Sequence, residues 1–417
     1  MRILVLGSGA REHAIVTALL AEEAGHQIVA APGNAGLAAV VETVALDPSN
    51  GAVVAQYATD NAIELVVIGP EAPLVAGVAD AVRAAGIPAF GPGKAAAALE
   101  GSKAFAKRIM DAAHVPTGRA VRATTIDEVA AALDELGAPH VVKADGLAAG
   151  KGVIVTDDRD AALAHAEHYL QQGPVLVEEY LAGQEISLFF LADGHDVLPL
   201  SPAQDYKRVG DGDTGPNTGG MGAYSPLPWL GDEAAFVEEV LDTIARPTVR
   251  ALEAEGTPFI GLLYCGLIVT DAGIRVIEFN ARFGDPETQV VLPRLETPLS
   301  GLLLAAATGG LGRLPFPTFS SDAAVIVVLA SEGYPDEPVT GRVIRGLDAA
   351  AEVPGVTIAH AATALVDGEY VATGGRVLGV VARGADMASA RETAYRAIAR
   401  IELEGSFYRT DIAERAL

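Results

Sequence analysis

The sequence predicts a multidomain protein of mixed α/β and α+β class, with a doubly wound parallel sheet at its start and a strand-rich domain at its end. At 417 residues the chain is too long for one hydrophobic core, so we expect on the order of two to four domains. Short apolar segments alternate with helical ones up to about residue 100, the pattern of parallel strands joined by helices. The C-terminal part is rich in strands again.

The composition limits the partners that the protein can have. The formal net charge is −25 and the pI is near 4.6, so we expect neither nucleic acid nor anionic membrane as a partner. A phosphate-bearing substrate therefore needs a locally positive site.

The one cysteine, Cys265, excludes an intramolecular disulfide, and its apolar strand setting argues against covalent catalysis. We find no signal peptide or membrane-spanning stretch and expect a cytoplasmic protein.

The first domain is predicted from alternating strands and helices. Its strands are expected at Ile3–Leu6, Gln27–Ala31 and Leu65–Ile68, and its helices at Arg11–Glu23, Ser49–Thr59 and Val75–Ala85. The carboxyl ends of parallel strands meet at one edge of a sheet, where ligands usually bind.

A glycine turn follows each of these strands. The first, Gly7 to Glu12, resembles a dinucleotide fingerprint, but Glu12 stands at the third glycine position, so we expect a smaller phosphate rather than NAD. Helix N–H groups and Arg11 would hold it; the alternative is a tight turn without a ligand. With the turns at 32–36 and 69–73, this edge is predicted to form a sugar-phosphate pocket.

The middle and end of the chain contain the remaining predicted elements. Helices are expected over 158–170, 232–255 and 385–401, and a long glycine-rich loop over 204–226. Strands are expected at Val141–Lys143, Gly152–Val155, Val175–Glu179, Ser187–Leu191, Leu262–Thr270, Ile274–Phe279, Ala323–Leu329 and Arg376–Val381.

Two segments in the middle region indicate nucleotide binding. Lys143 and Lys151 bracket a loop of small residues that lacks the Walker A spacing, yet two ammonium groups on such a loop suit a triphosphate. The alternative is a hairpin with exposed lysines. The segment Glu178 to Glu185 follows a strand and could offer backbone groups to an adenine edge and a glutamate to ribose hydroxyls. A charged hairpin explains it equally well.

A third segment, Glu278 to Glu287, predicts a metal site. Strand periodicity places Glu278 and Asn280 on one face, and oxygen ligands beside a phosphate suit Mg²⁺. Arg282 could stabilise developing negative charge. The alternative is a surface ion pair between Glu278 and Arg282.

The glycine-rich loop around 205–224 is too long and too charged for structural filler. Its acidic residues suit an amine, and its basic residues suit a carboxylate or a phosphate. Asp205 and Lys207 are therefore candidate catalytic residues, and Asp213 and Asn217 are candidate substrate contacts.

Together these motifs resemble the phosphoribosylamine–glycine ligase family of the ATP-grasp superfamily. The resemblance runs in order along the chain, and the segment Asp213–Tyr224 is its most specific part. It rests on Gly69-Pro70-Glu71, Glu100-Gly101-Ser102-Lys103, the segment from Lys143 to Gly152, the 211–224 loop and Glu278–Glu287.

The resemblance implies a two-part ATP-grasp fold between the N-terminal and C-terminal domains. The three domains then comprise residues 1–101, 102–322 and 323–417, and the second contains a mobile lid at about 120–186. It implies ATP, Mg²⁺ or Mn²⁺, glycine and 5-phosphoribosylamine as ligands, and we expect a monomer.

The resemblance also suggests roles for individual residues. The metal ligands are Glu278 and Asn280, and the catalytic candidates are Arg282, Lys207 and Asp205. The implied ATP contacts are Lys103, Lys143, Lys151, Glu178, Glu179, Leu181 and Glu185. The substrate contacts are Gly9, Arg11, Glu12, Asn34, Gly69, Glu71, Asp205, Asp213, Asn217 and Gly284.

The chain departs from the family pattern at two places. The segment 171–174 is shorter than in many relatives, which puts the phosphate-covering flap in question. No acid stands in Leu263–Leu267, where many ATP-grasp enzymes have another metal-binding carboxylate. Two rival functions remain, another ATP-grasp carboxylate–amine ligase and a non-catalytic nucleotide-binding module.

Overall fold

The computed structural model describes residues 1–146 and 152–417. As predicted, the first sheet is parallel, with strand order β3-β2-β1-β4-β5. Its strands are β1 Arg2–Gly7, β2 Gln27–Pro32, β3 Glu42–Thr43, β4 Leu65–Ile68 and β5 Ala89–Phe90. The helices between and after them are α1 Ala10–Ala21, α2 Ala35–Ala38, α3 Gly51–Asp60, α4 Glu71–Ala76 and α5 Val78–Ala84. The helix predicted at Val75–Ala85 is split, because Gly77 adopts a left-handed φ of 90°.

The predicted clustering of the glycine turns is observed. Leu6 pairs with Ile68 across β1 and β4, and the Gly69 N–H donates to the Leu6 carbonyl over 3.0 Å. The Gly33 N–H donates to the Gly7 carbonyl over 3.1 Å. The three turns therefore meet at the strand ends where the sheet order reverses, the usual ligand edge of such a sheet.

A second, four-stranded antiparallel sheet follows helices α6 Lys94–Gly101 and α7 Lys103–Ala112, with the order β6-β9-β7-β8. It consists of β6 Ala120–Ala123, β7 His140–Ala144, β8 Val153–Thr156 and β9 Val175–Glu178, with helices α8 Ile126–Leu136 and α9 Arg159–Leu170. These elements pack on a small hydrophobic core of their own, which includes Val129, Val142 and Val177.

The next elements come before and within residues 204–226, where a loop was predicted and four short strands are observed. They are β10 Gln184–Asp193, β11 Val197–Pro199, β12 Gln204–Asp205, β13 Arg208–Gly210, β14 Thr214–Asn217 and β15 Gly222–Ser225. Strands β13 and β14 form a hairpin. The predicted helix over 232–255 is α10 Glu233–Val240 and α11 Arg246–Ala254, joined by a π turn at Leu241–Ala245.

Strands β16 Ile260–Thr270 and β17 Gly273–Asn280 complete an antiparallel sheet of order β11-β10-β16-β17. Helices α12 Thr288–Val291 and α13 Leu299–Thr308 follow. The remaining elements are β18 Ala323–Ala330, α14 Leu347–Ala351, β19 Val356–His360, β20 Thr363–Val366, β21 Glu369–Ala372, β22 Arg376–Gly384 and α15 Met387–Ile398.

The last large sheet has the order β12-β15-β18-β22-β19, so it takes strands from the glycine-rich region as well as from the C-terminal part. Its central strand β18 is buried along its whole length, which suits the uninterrupted apolar run from Ala323 to Ala330. This sheet places the glycine-rich loop between the C-terminal part and the sheet that carries Glu278 and Asn280.

Candidate functional site

At the N-terminal turn, the carboxylate of Glu12 packs against the glycines Gly7, Gly9 and Gly69. Glu12 is 1 % exposed, and its Oε2 accepts the Gly9 N–H over 2.6 Å. A Cβ on Gly7 would lie 2.6 Å from the Glu12 side chain, and one on Gly69 would overlap Glu12 Oε1. The glycines therefore make room for Glu12 itself, and the Gly9 N–H is already satisfied.

Arg11 joins the N-terminal turn to the segment after β17. Its Nε donates to Glu12 Oε1 over 2.8 Å and its Nη1 to the Phe283 carbonyl over 2.9 Å, while Nη2 lies 3.9 Å from Glu71. Thus Glu71 is brought together with Arg11 and Glu12, which belong to a different motif.

Arg282 belongs to the same junction. Its guanidinium lies 3.2 Å from Glu100 and 3.6 Å from Glu71, so the ion pair with Glu278 considered above is not formed. Burial raises the pKa of Glu100, although Arg282 opposes this shift. For Glu71, burial also acts to raise the pKa, but Arg282 and Arg11 outweigh it and the pKa is lowered.

Lys143 lies in a buried charge cluster on the β6–β9 sheet. Its Nζ is 2.8 Å from Glu178 Oε2, and Lys107 Nζ lies 3.6 Å from the same oxygen. Burial opposes the charge on Glu178, but the two lysines outweigh it and lower its pKa. Lys107 was missed from the sequence; its position one helical turn after Lys103 was the available signal.

Backbone donors of the predicted adenine hinge differ in their use. The Glu179 N–H donates to the Arg119 carbonyl over 2.9 Å, whereas the Leu181 N–H has no partner within the described part of the chain. The Glu178 side chain faces the two lysines. We therefore expect the backbone of the hinge, rather than this side chain, to contact a base. Nearby, Lys103 Nζ donates to the Gly146 carbonyl over 3.2 Å. Lys151 lies outside the described residues.

Asp205, Lys207 and Glu185 form a second charge cluster, in which the Asp205 side chain is 9 % exposed and those of Lys207 and Glu185 are 38 % and 46 % exposed. Lys207 Nζ donates to Glu185 and lies 3.6 Å from Asp205. Burial raises the pKa of Asp205 to about 7 against the opposing charge of Lys207, with Glu287 and Glu185 raising it further. Burial opposes the charge on Lys207, but Asp205 and Glu185 outweigh it and hold the pKa of Lys207 well above its usual value.

Glu287, also missed from the sequence, borders this cluster. Its Oε1 accepts from Ser187 over 3.0 Å and from the Tyr264 hydroxyl over 2.9 Å. A Cβ on Gly284 would lie 2.6 Å from Glu287 Oε2, so Gly284 leaves room for this carboxylate.

Glu278 and Asn280 lie side by side at the end of β17, as predicted. Asn280 Nδ2 is 3.5 Å from Glu278 Oε1, and Gly266 is the cross-strand partner of Glu278. Among residues 1–146 and 152–417, no group of three or more His, Cys, Asp and Glu side chains could hold a metal ion. The protein thus offers two oxygen-bearing side chains, which fit a hard cation whose other ligands are phosphate and water.

The glycine-rich loop is held by residues from the C-terminal part. Arg376 donates to the Gly219 carbonyl over 2.5 Å and to Asp285 over 2.8 Å, which ties the loop to the segment after β17. Asp213 accepts from Arg409 over 3.0 Å and from Arg415, so both its oxygens are used. The backbone of Asn217 pairs with Arg208 in the β13–β14 hairpin.

Asn34 is engaged in structural contacts. Its Nδ2 donates to the carbonyls of Ser8 and His360, both over 2.9 Å, and its Oδ1 caps helix α2 at the Leu37 N–H. The predicted substrate residue therefore ties the N-terminal turns to strand β19.

Three family models match the chain in succession. They are described as the N domain, the ATP-grasp (A) domain and the C domain of phosphoribosylglycinamide synthetase, and they match residues 1–100, 101–288 and 324–415. A protein of Leifsonia xyli subsp. xyli named phosphoribosylamine–glycine ligase is 72% identical over 419 residues, covering 100% of both chains. The chain belongs to the phosphoribosylglycinamide synthetase family. The resemblance predicted from the motifs is thereby confirmed.

Other members and folds agree with this family. A phosphoribosylamine–glycine ligase of Streptomyces coelicolor is 57% identical, covering 100% of this chain and 99% of the relative. The solved phosphoribosylamine–glycine ligase of Thermotoga maritima superposes with a TM-score of 0.83 at 34% identity, covering 99% of this chain and 100% of that one. The biotin carboxylase domain of a Hydrogenobacter thermophilus 2-oxoglutarate carboxylase shares the fold, with a TM-score of 0.73 at 18% identity over 98% of this chain and 91% of that one. The predicted fold class is confirmed.

Across the described residues, no helix has both the length and the apolar character needed to cross a membrane.

Proposed function

We propose that this family member ligates glycine to 5-phosphoribosylamine, with ATP converted to ADP and phosphate, in de novo purine biosynthesis. The observation that carries the proposal is the full-length similarity to proteins named phosphoribosylamine–glycine ligase, at 72% identity for one of them. The lysine and carboxylate clusters agree with it, because they supply the charges that a triphosphate and an amino acid require.

The reaction takes place in two steps through glycyl phosphate. A carboxylate oxygen of glycine attacks the γ-phosphorus of ATP, and the bond to the β-phosphate oxygen breaks, releasing ADP. The amine of phosphoribosylamine then attacks the acyl carbon; the bond to phosphate breaks, and the amine proton leaves on the phosphate. Such chemistry depends on positioning and on charge stabilisation, without a covalent enzyme intermediate.

The ATP-grasp residues would bind the nucleotide. Lys103, Lys143 and Lys151 neutralise the phosphates. The free Leu181 N–H, which follows Glu179 in the hinge, donates to the adenine edge. Glu185 contacts the ribose. Arg282, which follows β17, and Lys207, which lies between β12 and β13, stabilise the charge of the acyl phosphate, with Asp205 holding Lys207.

Glu278 and Asn280 would hold Mg²⁺, or Mn²⁺ as the alternative. Bound there, the ion supplies charge neutralisation for the triphosphate. The two side chains are half-buried neighbours at a strand end. The charge of Glu278 acts to raise the pKa of Lys143, so the pair lies beside the proposed phosphate site. A non-catalytic nucleotide-binding module would be expected to lack this pair.

Phosphoribosylamine would bind at the glycine turns of the N-terminal sheet, around Gly9, Arg11, Asn34, Gly69 and Glu71. The Gly9 N–H is used by Glu12, but the exposed Ser8 N–H has no partner among the described residues and could donate to the phosphate. Arg11 adds positive charge at this position. Gly284 and the loop residues Asp213 and Asn217 complete the proposed substrate contacts.

The three proposed domains comprise residues 1–101, 102–322 and 323–417. The second of them contains a lid at about 120–186. The separate core under helices α8 and α9 supports a lid that moves as a unit. We further propose that the protein acts as a monomer in the cytoplasm.

An ADP-release assay tests the function. Phosphoribosylamine is generated in situ from ribose 5-phosphate and ammonia, and ADP is measured with glycine, with phosphoribosylamine, with both and with neither. We expect ADP release at a catalytic rate only with both. ADP release with another amine acceptor in place of phosphoribosylamine would favour a different carboxylate–amine ligase, and nucleotide binding without turnover would favour the non-catalytic alternative.

A further inference from the structure

The chain neighbours of Lys207 are held by the C-terminal tail, residues 409–415. Arg409 is 1 % exposed, and its guanidinium carbon lies 4.7 Å from the centre of the Tyr206 ring. Its Nη1 donates to the Arg208 carbonyl over 3.0 Å. The Ala413 N–H donates to the Tyr206 hydroxyl over 2.9 Å. Tail residues thus contact the chain immediately before and after Lys207.

The tail also grips the tip of the β13–β14 hairpin. Arg409 Nη1 lies 3.0 Å from Asp213, and Arg415 donates to the other oxygen of that carboxylate. The Thr410 N–H donates to Asp211 over 2.8 Å, and the Gly212 N–H donates to Asp411 over 2.9 Å. The hairpin therefore has polar contacts to the tail at three successive residues.

The tail is in turn fixed to helix α15. Arg391 donates to the carbonyls of Ile412 over 2.9 Å and Thr410 over 2.7 Å. The Tyr395 hydroxyl donates to the Arg409 carbonyl over 2.8 Å. Arg409 itself is held by Asp411, whose oxygens lie 2.7 and 2.6 Å from its Nε and Nη2. Helix α15 thereby holds the backbone of the tail segment whose Arg409 side chain contacts the hairpin.

We propose that Arg409 is a positioning residue for the ligation reaction, which fixes Lys207 at the carboxylate and acyl-phosphate end of glycine by clamping the first strand and the tip of the hairpin. The inference rests on the proposed function. It gives Asp213 the role of an anchor for the hairpin in place of the substrate contact proposed above, since both its oxygens accept from the tail. Because charge-assisted contacts to a fixed backbone restrict movement, loss of the clamp lets Lys207 move by the small distances to which such catalysis is sensitive.

Arg409→Lys tests the proposal, with Arg294→Lys as the matched control. Arg294 is another buried arginine, 4 % exposed, and it donates to Ser201 and Ser225 rather than to the tail or the hairpin. Steady-state constants for glycine and ATP and hydrogen exchange of the amides of 208–217 are measured for both variants. We expect Arg409→Lys to lower kcat/KM for glycine by about ten- to a hundredfold, to leave the KM for ATP within about twofold, and to speed exchange in the hairpin.

Equal kinetics and equal hairpin exchange in the two variants would overturn the proposal, as would parallel losses for glycine and ATP. If Arg409→Lys does not fold, Arg415→Gln decides, because Arg415 is exposed and touches the same Asp213. A loss in kcat/KM for glycine that is smaller than the one expected for Arg409→Lys supports the clamp, and unchanged kinetic constants contradict it. Failure of the proposed function is recognised separately, since the wild-type protein would then release no ADP with both substrates, whatever the exchange of the hairpin.

Discussion

The Nζ of Lys143 lies 2.8 Å from Glu178 Oε2, and the two residues stand on neighbouring antiparallel strands at 6 % exposure each. Lys107 contacts the same carboxylate. The pair links the first strand of the predicted phosphate loop to the strand that leads into the adenine hinge, so its charge balance bears on both stability and nucleotide binding.

Removing the carboxylate is expected to destabilise the fold. Glu178→Gln leaves two buried lysines without their anion, which typically costs about 3–5 kcal/mol. Urea unfolding at pH 7 measures the change, and Glu135→Gln, which removes an exposed partner of Arg119, is the control with a much smaller effect. Because the pKa of Glu178 is lowered in the folded state, its stabilisation is present above the ordinary pKa of 4.5 and is lost as the pH falls through the lower folded value. A wild-type-like variant at pH 7 would contradict this.

Asp205 is expected to make stability fall with rising pH. Its pKa is about 7 in the folded protein against 3.8 ordinarily, chiefly because it is buried. Between these values the folded protein keeps a proton that the unfolded chain has released, so the contribution is present below pH 3.8 and is lost as the pH approaches 7. Asp205→Asn should remove this slope, which is at most about 1.4 kcal/mol per pH unit. Urea titrations between the two pKa values check it, and identical slopes for variant and wild type would refute the assignment.

Glu278→Gln is expected to nearly abolish turnover while the fold stays intact. The change removes the charged member of the proposed Mg²⁺ pair and therefore several kcal/mol of transition-state stabilisation. Activity is measured across Mg²⁺ concentrations, with circular dichroism as the test of folding. Asn280→Asp keeps an oxygen ligand and should retain more activity. Near-wild-type turnover of Glu278→Gln at saturating Mg²⁺ would exclude the metal assignment.

The hinge predicts a preference for ATP over GTP. A free N–H at Leu181 can donate to an unprotonated ring nitrogen of adenine, whereas guanine presents a donor at the corresponding edge. The ratio of kcat/KM for the two nucleotides measures this preference, with glycine and phosphoribosylamine saturating. Equal values would show that the hinge does not read the base.

Arg11→Ala is expected to raise the KM for phosphoribosylamine at least several-fold and to leave the constants for ATP and glycine nearly unchanged. The reason is the loss of a charge-assisted contact to the phosphate. Since Arg11 also donates to the Phe283 carbonyl, Arg11→Lys serves as the variant that keeps the charge. A raised KM for ATP with an unchanged one for phosphoribosylamine would reverse the division of roles between the N-terminal sheet and the ATP-grasp residues.

Much of this site could be predicted from local sequence patterns. The alternation of strand, glycine turn and helix placed Gly7, Gly33 and Gly69 at one sheet edge, and strand periodicity placed Glu278 beside Asn280. In both cases the pattern spans only a few residues, and over so short a stretch the backbone geometry of a strand or turn fixes the direction in which each side chain points. At the Gly7–Glu12 turn, the spacing of the glycines did not show that the Glu12 side chain of the following helix packs against them.

By itself the sequence determined the parallel N-terminal sheet, the acidic character, the family and the residues that carry its motifs, since these depend on composition and on short-range order. Only the tertiary structure decided which charges meet. Arg409 and Asp213 are 196 residues apart and Arg376 and Asp285 are 91 apart, yet each pair forms a direct contact. Such partners are chosen by how the sheets pack, and neither periodicity nor turn chemistry carries information about packing over that separation.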